Sequence, residues 1–128
     1  MNKNPSNGLV YLEVVATDSQ AASAYYESAF GWQFEQVAEL GNAMVAEMPG
    51  GSLCGIREPL SDIETPIIRT YFQVPDLAEA TSQARRSGAT ILLDQMEIPG
   101  RGQIAIFELC GIEQGVWQLP TSQEGAAS

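Results

Sequence analysis

The chain opens on a run in which side chains alternate in kind. Leu9 to Ala16 (LVYLEVVA) puts Val10, Leu12, Val14 and Ala16 on one face and Tyr11, Glu13 and Val15 on the other. Rich in apolar and β-branched residues, it predicts a strand. Thr17-Asp18-Ser19 follows, and short side-chain oxygens there can accept from the free N–H groups that open a helix. Ser19 to Ala29 then carries Ala22, Tyr25, Tyr26 and Ala29 at helical spacing, with Gly31 as the stop. Trp32 and Phe34 begin an extended segment, and Asn42 to Met48 and Leu53 to Arg57 read as two further strands around a Pro49-Gly50-Gly51 turn.

A polar, acidic stretch bracketed by prolines, Glu58 to Pro66 (EPLSDIETP), reads as a linker. The pattern then restarts. Ile67 to Val74 predicts a strand, Pro75-Asp76 a cap, Leu77 to Ser87 a helix and Gly88 its stop. Ala89 to Leu93, Gln103 to Glu108 and Gly115 to Leu119 predict three more strands. The restart is an internal repeat. Asp18 and Asp76 stand 58 apart (76 − 18), and Gly51 and Gly55 recur as Gly111 and Gly115, each 60 further on (111 − 51, 115 − 55). The expected fold is α+β: one domain, 1–128, of two tandem βαβββ modules at about 9–57 and 67–119. A linker at 58–66 joins them, and a polar tail covers 120–128. Two copies are too few for a solenoid, so the modules should each lay a helix on one sheet face and leave the other free to curve around something.

These elements carry a family resemblance. Glu13-Val-Val-Ala-Thr-Asp18, Ala24-Tyr-Tyr26, Ala29-Phe-Gly-Trp32, Gln73-Val-Pro-Asp-Leu77, Glu97-Ile-Pro-Gly100 and Gly115-Val-Trp-Gln118 resemble the glyoxalase/bleomycin-resistance/dioxygenase proteins, the vicinal oxygen chelate superfamily. The resemblance runs from about Leu9 to Leu119. It implies two half-barrels closing into a cup with a ligand inside, and in the family's enzymes a divalent metal held by His and Glu from inward strand positions. Aligned so, the first-strand ligand positions fall on Tyr11 and Arg69, and the strand-end positions on Gly55 and Gly115. Arginine is a fixed cation and glycine has no ligand atom. The chain contains no histidine, and Glu13 is the one inward carboxylate. No metal and no cofactor are therefore expected.

What remains on the inner face is Tyr11, Glu13, Arg57, Arg69, Tyr71, Gln73 and Trp117. Two cations, a carboxylate, an amide and aromatic rings suit a small organic ligand with a flat part and an anionic part. The competing reading is that the rings fill the cup and Glu13 pairs with Arg69 as a buried structural salt bridge. Three functions follow: a metal-free binding protein, a metal-free or metal-dependent enzyme of lyase, isomerase or epimerase type using Glu13 as catalytic base, or a dimeric interaction module without a small ligand. Gly100-Arg101-Gly102 is either a lid or a plain hairpin turn. Tyr25-Tyr26 and Phe30-Gly31-Trp32 are expected in the core, and Arg85-Arg86 at a helix end where cations suit the dipole.

Charge narrows the partners. Lys and Arg total 6 against 16 Asp and Glu, a formal charge of −10. That excludes the basic surface nucleic acid or an anionic membrane would require. No apolar run approaches the ~18 residues of a membrane span, and no export signal is seen, so a cytoplasmic protein is expected, with Cys54 and Cys110 reduced and buried. A homodimer is the expected assembly, because half-barrel edges would otherwise be exposed.

Overall fold

The computed structural model describes residues 8–120, so the polar opening (1–7) and the tail, Thr121 to Ser128, lie outside the described residues. The fold is α+β, and its residues divide into two compact units, Val10–Arg69 and residues 70–120 with 8–9. In chain order the elements are β1 (Leu9–Val15), α1 (Ser19–Phe30), β2 (Glu35–Val37), β3 (Ala43–Glu47), β4 (Leu53–Arg57), β5 (Ile67–Gln73), α2 (Leu77–Arg86), β6 (Thr90–Ile98), β7 (Gly102–Leu109) and β8 (Ile112–Gln118).

In the first unit the strands lie in the order β2-β3-β4-β1, with β1 and β4 parallel and the other pairs antiparallel. The parallel pair needs a crossover, and α1 lies in that connection. Val14, Cys54 and Ile56 form the core beneath the helix, joined by Ala22, Tyr26 and Trp32. The Tyr26 and Trp32 rings stack at 5.5 Å and 8°. The second unit repeats the plan as β5-β8-β7-β6, with β5 and β8 parallel. Its core joins Leu77 and Ala84 of α2 to Ala105, Phe107 and Val116. Both helices begin the same way. The Asp18 carboxylate accepts from the N–H of Ala21 at 3.0 Å and that of Asp76 from the N–H of Glu79 at 3.1 Å, each satisfying a donor the helix itself cannot. Gly31 closes α1 in the left-handed region, φ 77°.

Several expected boundaries move. Trp32 and Phe34 precede the strand instead of forming it, and β2 is only Glu35–Val37. β6 continues past Leu93 to Ile98. Its pairing with β7 shifts register between Ile91 and Leu93 and again between Leu93 and Met96. Each irregularity breaks the two-residue alternation by which a strand is read. β8 starts at Ile112, ahead of the expected Gly115, because Cys110 (φ 55°) and Gly111 (φ 82°) make a two-residue hairpin turn. That turn also exposes Cys110, correcting the expectation that both cysteines are buried; Cys54 is fully buried.

Candidate ligand-binding site

Glu13 lies in the middle of β1, opposite Gly55 of β4. Alternation aims it away from Val14, which belongs to the helix-side core. Arg57 ends β4 and Arg69 lies on β5. The three side chains meet. Arg57 donates through Nε to Glu13 Oε2 at 2.8 Å, and Arg69 donates through a terminal guanidinium nitrogen to Glu13 Oε1. Both carboxylate oxygens therefore accept from a cation. The Arg69 side chain is 7% exposed and that of Glu13 13%. At that depth an ion pair is held by geometry, because desolvation offsets much of the attraction.

A fourth member comes from the linker. Glu64 accepts from both terminal nitrogens of Arg57, at 3.0 and 2.7 Å, in the fork-on-fork arrangement that guanidinium and carboxylate prefer. The N–H of Leu60 donates to the same carboxylate at 2.7 Å, and Arg57 also donates to the carbonyl of Glu58 at 3.2 Å. The hydrogen bonds from Arg57 hold the Glu64 carboxyl down at about 2, against partial burial that works the other way. Reciprocally, Glu64 first and Glu13 second push the Arg57 guanidinium further above its ordinary value, although burial opposes them. The chain Glu64–Arg57–Glu13–Arg69 balances two cations with two carboxylates. Pairing of Glu13 with Arg69, one of the two expected arrangements, is present. The part played by Glu64 was missed. It lies among Glu58, Asp62 and Glu64 in one acidic stretch, and nothing in the order of residues separates the one that turns inward.

The aromatic members occupy defined places. Tyr11 is 6% exposed and its phenol lies over Gly55, where an added Cβ would stand 1.6 Å from the hydroxyl oxygen. In the second unit Tyr71, 3% exposed, lies over Gly115, where a Cβ would meet the ring at 2.4 Å. Tyr71 and Trp117 meet edge to face at 5.6 Å. The indole N–H of Trp117 donates to the Arg101 carbonyl at 2.7 Å, and the Arg101 N–H donates to the Ile98 carbonyl at 2.8 Å. Gly100-Arg101-Gly102 is thus the hairpin turn of β6 and β7, one of the two expected readings, with Arg101 tied to Trp117 and Ile98. Gln73 is half-buried opposite Trp117. Within the second unit a cleft of about 360 Å³ lies beside α2, lined by Thr81, Ser82, Asp94 and Gln118 among others; it includes none of the expected site residues.

The metal that the superfamily's enzymes hold can be tested against these positions. Gly55 and Gly115 offer no donor, and the space a longer side chain would need is taken by Tyr11 and Tyr71. Arg69 is a cation, and Glu13 spends both oxygens on guanidinium groups. Among the described residues no group of three His, Cys, Asp or Glu side chains could hold an ion. The residues present do not fit a divalent metal.

A scan of the chain against protein-family models matches none. The curated proteins it matches are the "putative glyoxylase CFP32" of Mycobacterium bovis and its counterpart in Mycobacterium tuberculosis, each 25% identical over 123 residues. The alignment covers 84% of this chain and 44% of theirs, so the chain spans less than half the length of these relatives. Among solved structures, the hypothetical protein BH1468 of Bacillus halodurans superposes with a TM-score of 0.71 at 16% identity, over 90% of this chain and 96% of its own. Methylmalonyl-CoA epimerase of Mycobacterium tuberculosis gives 0.70 at 16% identity, over 100% and 97%. The Streptomyces coelicolor epimerase gives 0.64 at 15%, over 88% and 94%. At these identities the superpositions speak for the fold alone. The repeated βαβββ plan, these superpositions and the sequence relatives agree on one fold: the chain has the fold of the glyoxalase/bleomycin-resistance/dioxygenase (vicinal oxygen chelate) proteins and is similar in sequence to two putative glyoxylases.

Proposed function

We propose that this chain is a cytoplasmic binding protein of the superfamily that takes up a small aromatic or anionic organic molecule without a resident metal. The observation that carries the reading is the filling of both glycine positions, expected at strand ends and found mid-strand in β4 and β8, by the phenol of Tyr11 and the ring of Tyr71. Where a metal ligand would project, each unit places a buried aromatic ring, and the first unit adds the Arg57 and Arg69 cations beside Glu13. Aromatic faces and guanidinium forks are the groups that hold flat acids. The candidate binding residues are Tyr11, Glu13, Arg57, Arg69, Tyr71, Gln73 and Trp117. A homodimer belongs to the same proposal.

The test is a thermal-shift screen of aromatic acids, aromatic amides and aliphatic acids, run beside metal analysis of the dialysed protein. Stabilisers are expected that a folded Arg69→Ala variant no longer recognises, with metal well below one equivalent. One equivalent of Zn, Ni, Mn or Fe surviving dialysis would overturn the proposal, as would a screen without a single stabiliser.

A second reading is an isomerase or epimerase with Glu13 as the base. The fold likeness to methylmalonyl-CoA epimerases favours it. It ranks lower because both Glu13 oxygens already accept from guanidinium groups, and a base needs an oxygen facing the proton it removes. Exchange of an acidic substrate C–H with D2O, abolished by Glu13→Gln, would reverse the ranking.

A further inference from the structure

The Arg57 guanidinium is a ready carboxylate site, and the chain's own Glu64 fills it. The two contacts, 3.0 and 2.7 Å, are those a free carboxylate would make. Glu64 reaches the site from a segment with no helix or strand between Arg57 and Ile67. The apolar side chains beside it do not anchor that segment: Leu60 is 82% exposed and Ile63 90%. By contrast, Arg57 is fixed from the other side. Its Nε is tied to Glu13, and Glu13 is tied in turn to Arg69. Removing Glu64 would therefore leave the fork in place and aimed. It would also take one carboxylate away from the Arg57 fork, leaving both terminal guanidinium nitrogens able to donate to another.

We propose that Glu64 is a tethered competitor: its carboxylate occupies the Arg57 fork until a monocarboxylate ligand displaces it and frees the turn at 60–64, while Glu58 stays held by the N–H and hydroxyl of Ser19. The inference rests on the ligand-binding reading above and names the ligand's chemical class. It also sets a direction. A tethered group acts at an effective concentration of about millimolar or more, so it weakens an external carboxylate by the ratio of that concentration to its own dissociation constant. A ligand binds only the displaced form, and its apparent affinity falls with the fraction displaced. A neutral molecule of the same shape has no claim on the fork and gains nothing from the loss of Glu64.

The test uses benzoate and benzamide as probes, titrated by calorimetry into the full chain and into folded Glu64→Gln and Glu64→Ala variants. Benzoate is expected to bind the variants about tenfold or more tightly than the unmodified chain, with benzamide unchanged. Equal benzoate affinity across all three proteins would overturn the competitor while leaving the binding reading standing. Binding of neither probe to any of them would overturn both. Should the variants fail to fold, the unmodified chain answers alone. On saturation with benzoate the Glu64 carboxyl 13C resonance is expected to move to the position of a solvated carboxylate. A resonance that stays put while benzoate binds would overturn the proposal.

Discussion

A single carboxylate in the linker changes what the neighbouring strand end can do. Glu64 is held by two guanidinium nitrogens of Arg57 and by the N–H of Leu60, and these lower its carboxyl from an ordinary 4.5 to about 2. As pH falls, the unfolded chain takes up this proton first. The contribution of Glu64 to stability is therefore complete above about 4.5 and lost as pH falls toward about 2. Urea titrations between pH 5 and 2 should show stability falling more steeply for the unmodified chain than for Glu64→Gln, whose side chain has no proton to take up. Parallel curves would contradict the assignment. Of the four ion-paired residues, Glu13, Arg57 and Arg69 were legible as inward positions because strand alternation fixes the face. Glu64 was not, because a loop carries no period and its side-chain direction follows from a fold-level contact.

Strand pairing sets how close the phenol of Tyr11 can come to the backbone. β1 and β4 run parallel, with Glu13 opposite Gly55 and Tyr11 opposite Leu53, so Tyr11 leans two residue pairs along to cover the glycine. Gly55 has no left-handed backbone to explain it; it is required because any Cβ would collide with the ring. Gly55→Ala is expected to destabilise the protein by about 1–3 kcal/mol, the usual cost of overpacking a core. Tyr11→Leu combined with Gly55→Ala should cost less than the two single changes together, since the smaller side chain relieves the collision. Chemical denaturation of the four proteins checks this; additive losses would mean that the close approach is not what selects glycine. The repeat made these glycines visible in the sequence through the equal offset of Gly55 and Gly115, but they were expected at strand ends and lie in the middle of β4 and β8. Their steric reason was not visible, because it depends on the aromatic side chain lying across each. The same limit hid the length of β6. Its register shifts break the alternation between Ile91 and Met96, so the expected strand ended at Leu93.

Across the whole molecule, cations are scarce, and among the described residues Arg57, Arg69, Arg85 and Arg86 are committed to carboxylates. The chain has 6 Lys and Arg against 16 Asp and Glu. Arg57 and Arg69 serve the Glu13 network, and Arg85 and Arg86 pair with Asp94 and Glu79 at the end of α2. The last two pairs are more than half exposed, where an ion pair contributes at most about 1 kcal/mol. The excess of ten negative charges therefore meets little local compensation, and mutual repulsion should dominate the response to salt. Two effects compete as ionic strength rises. Screening weakens the exposed pairs, and it also weakens repulsion among the unpaired carboxylates, which acts over roughly a Debye length of about 10 Å at 0.1 M. The Glu64–Arg57–Glu13–Arg69 chain, with side chains no more than 22% exposed, is shielded from salt and should change least. Repulsion involves many more charges than the two exposed pairs, so it wins. The melting temperature is expected to rise by a few degrees between about 20 mM and about 500 mM NaCl at neutral pH, and to do so by nearly the same amount in a variant carrying Arg85→Gln and Arg86→Gln. A melting temperature that falls with salt in the unmodified chain would mean that its paired charges outweigh its unpaired ones.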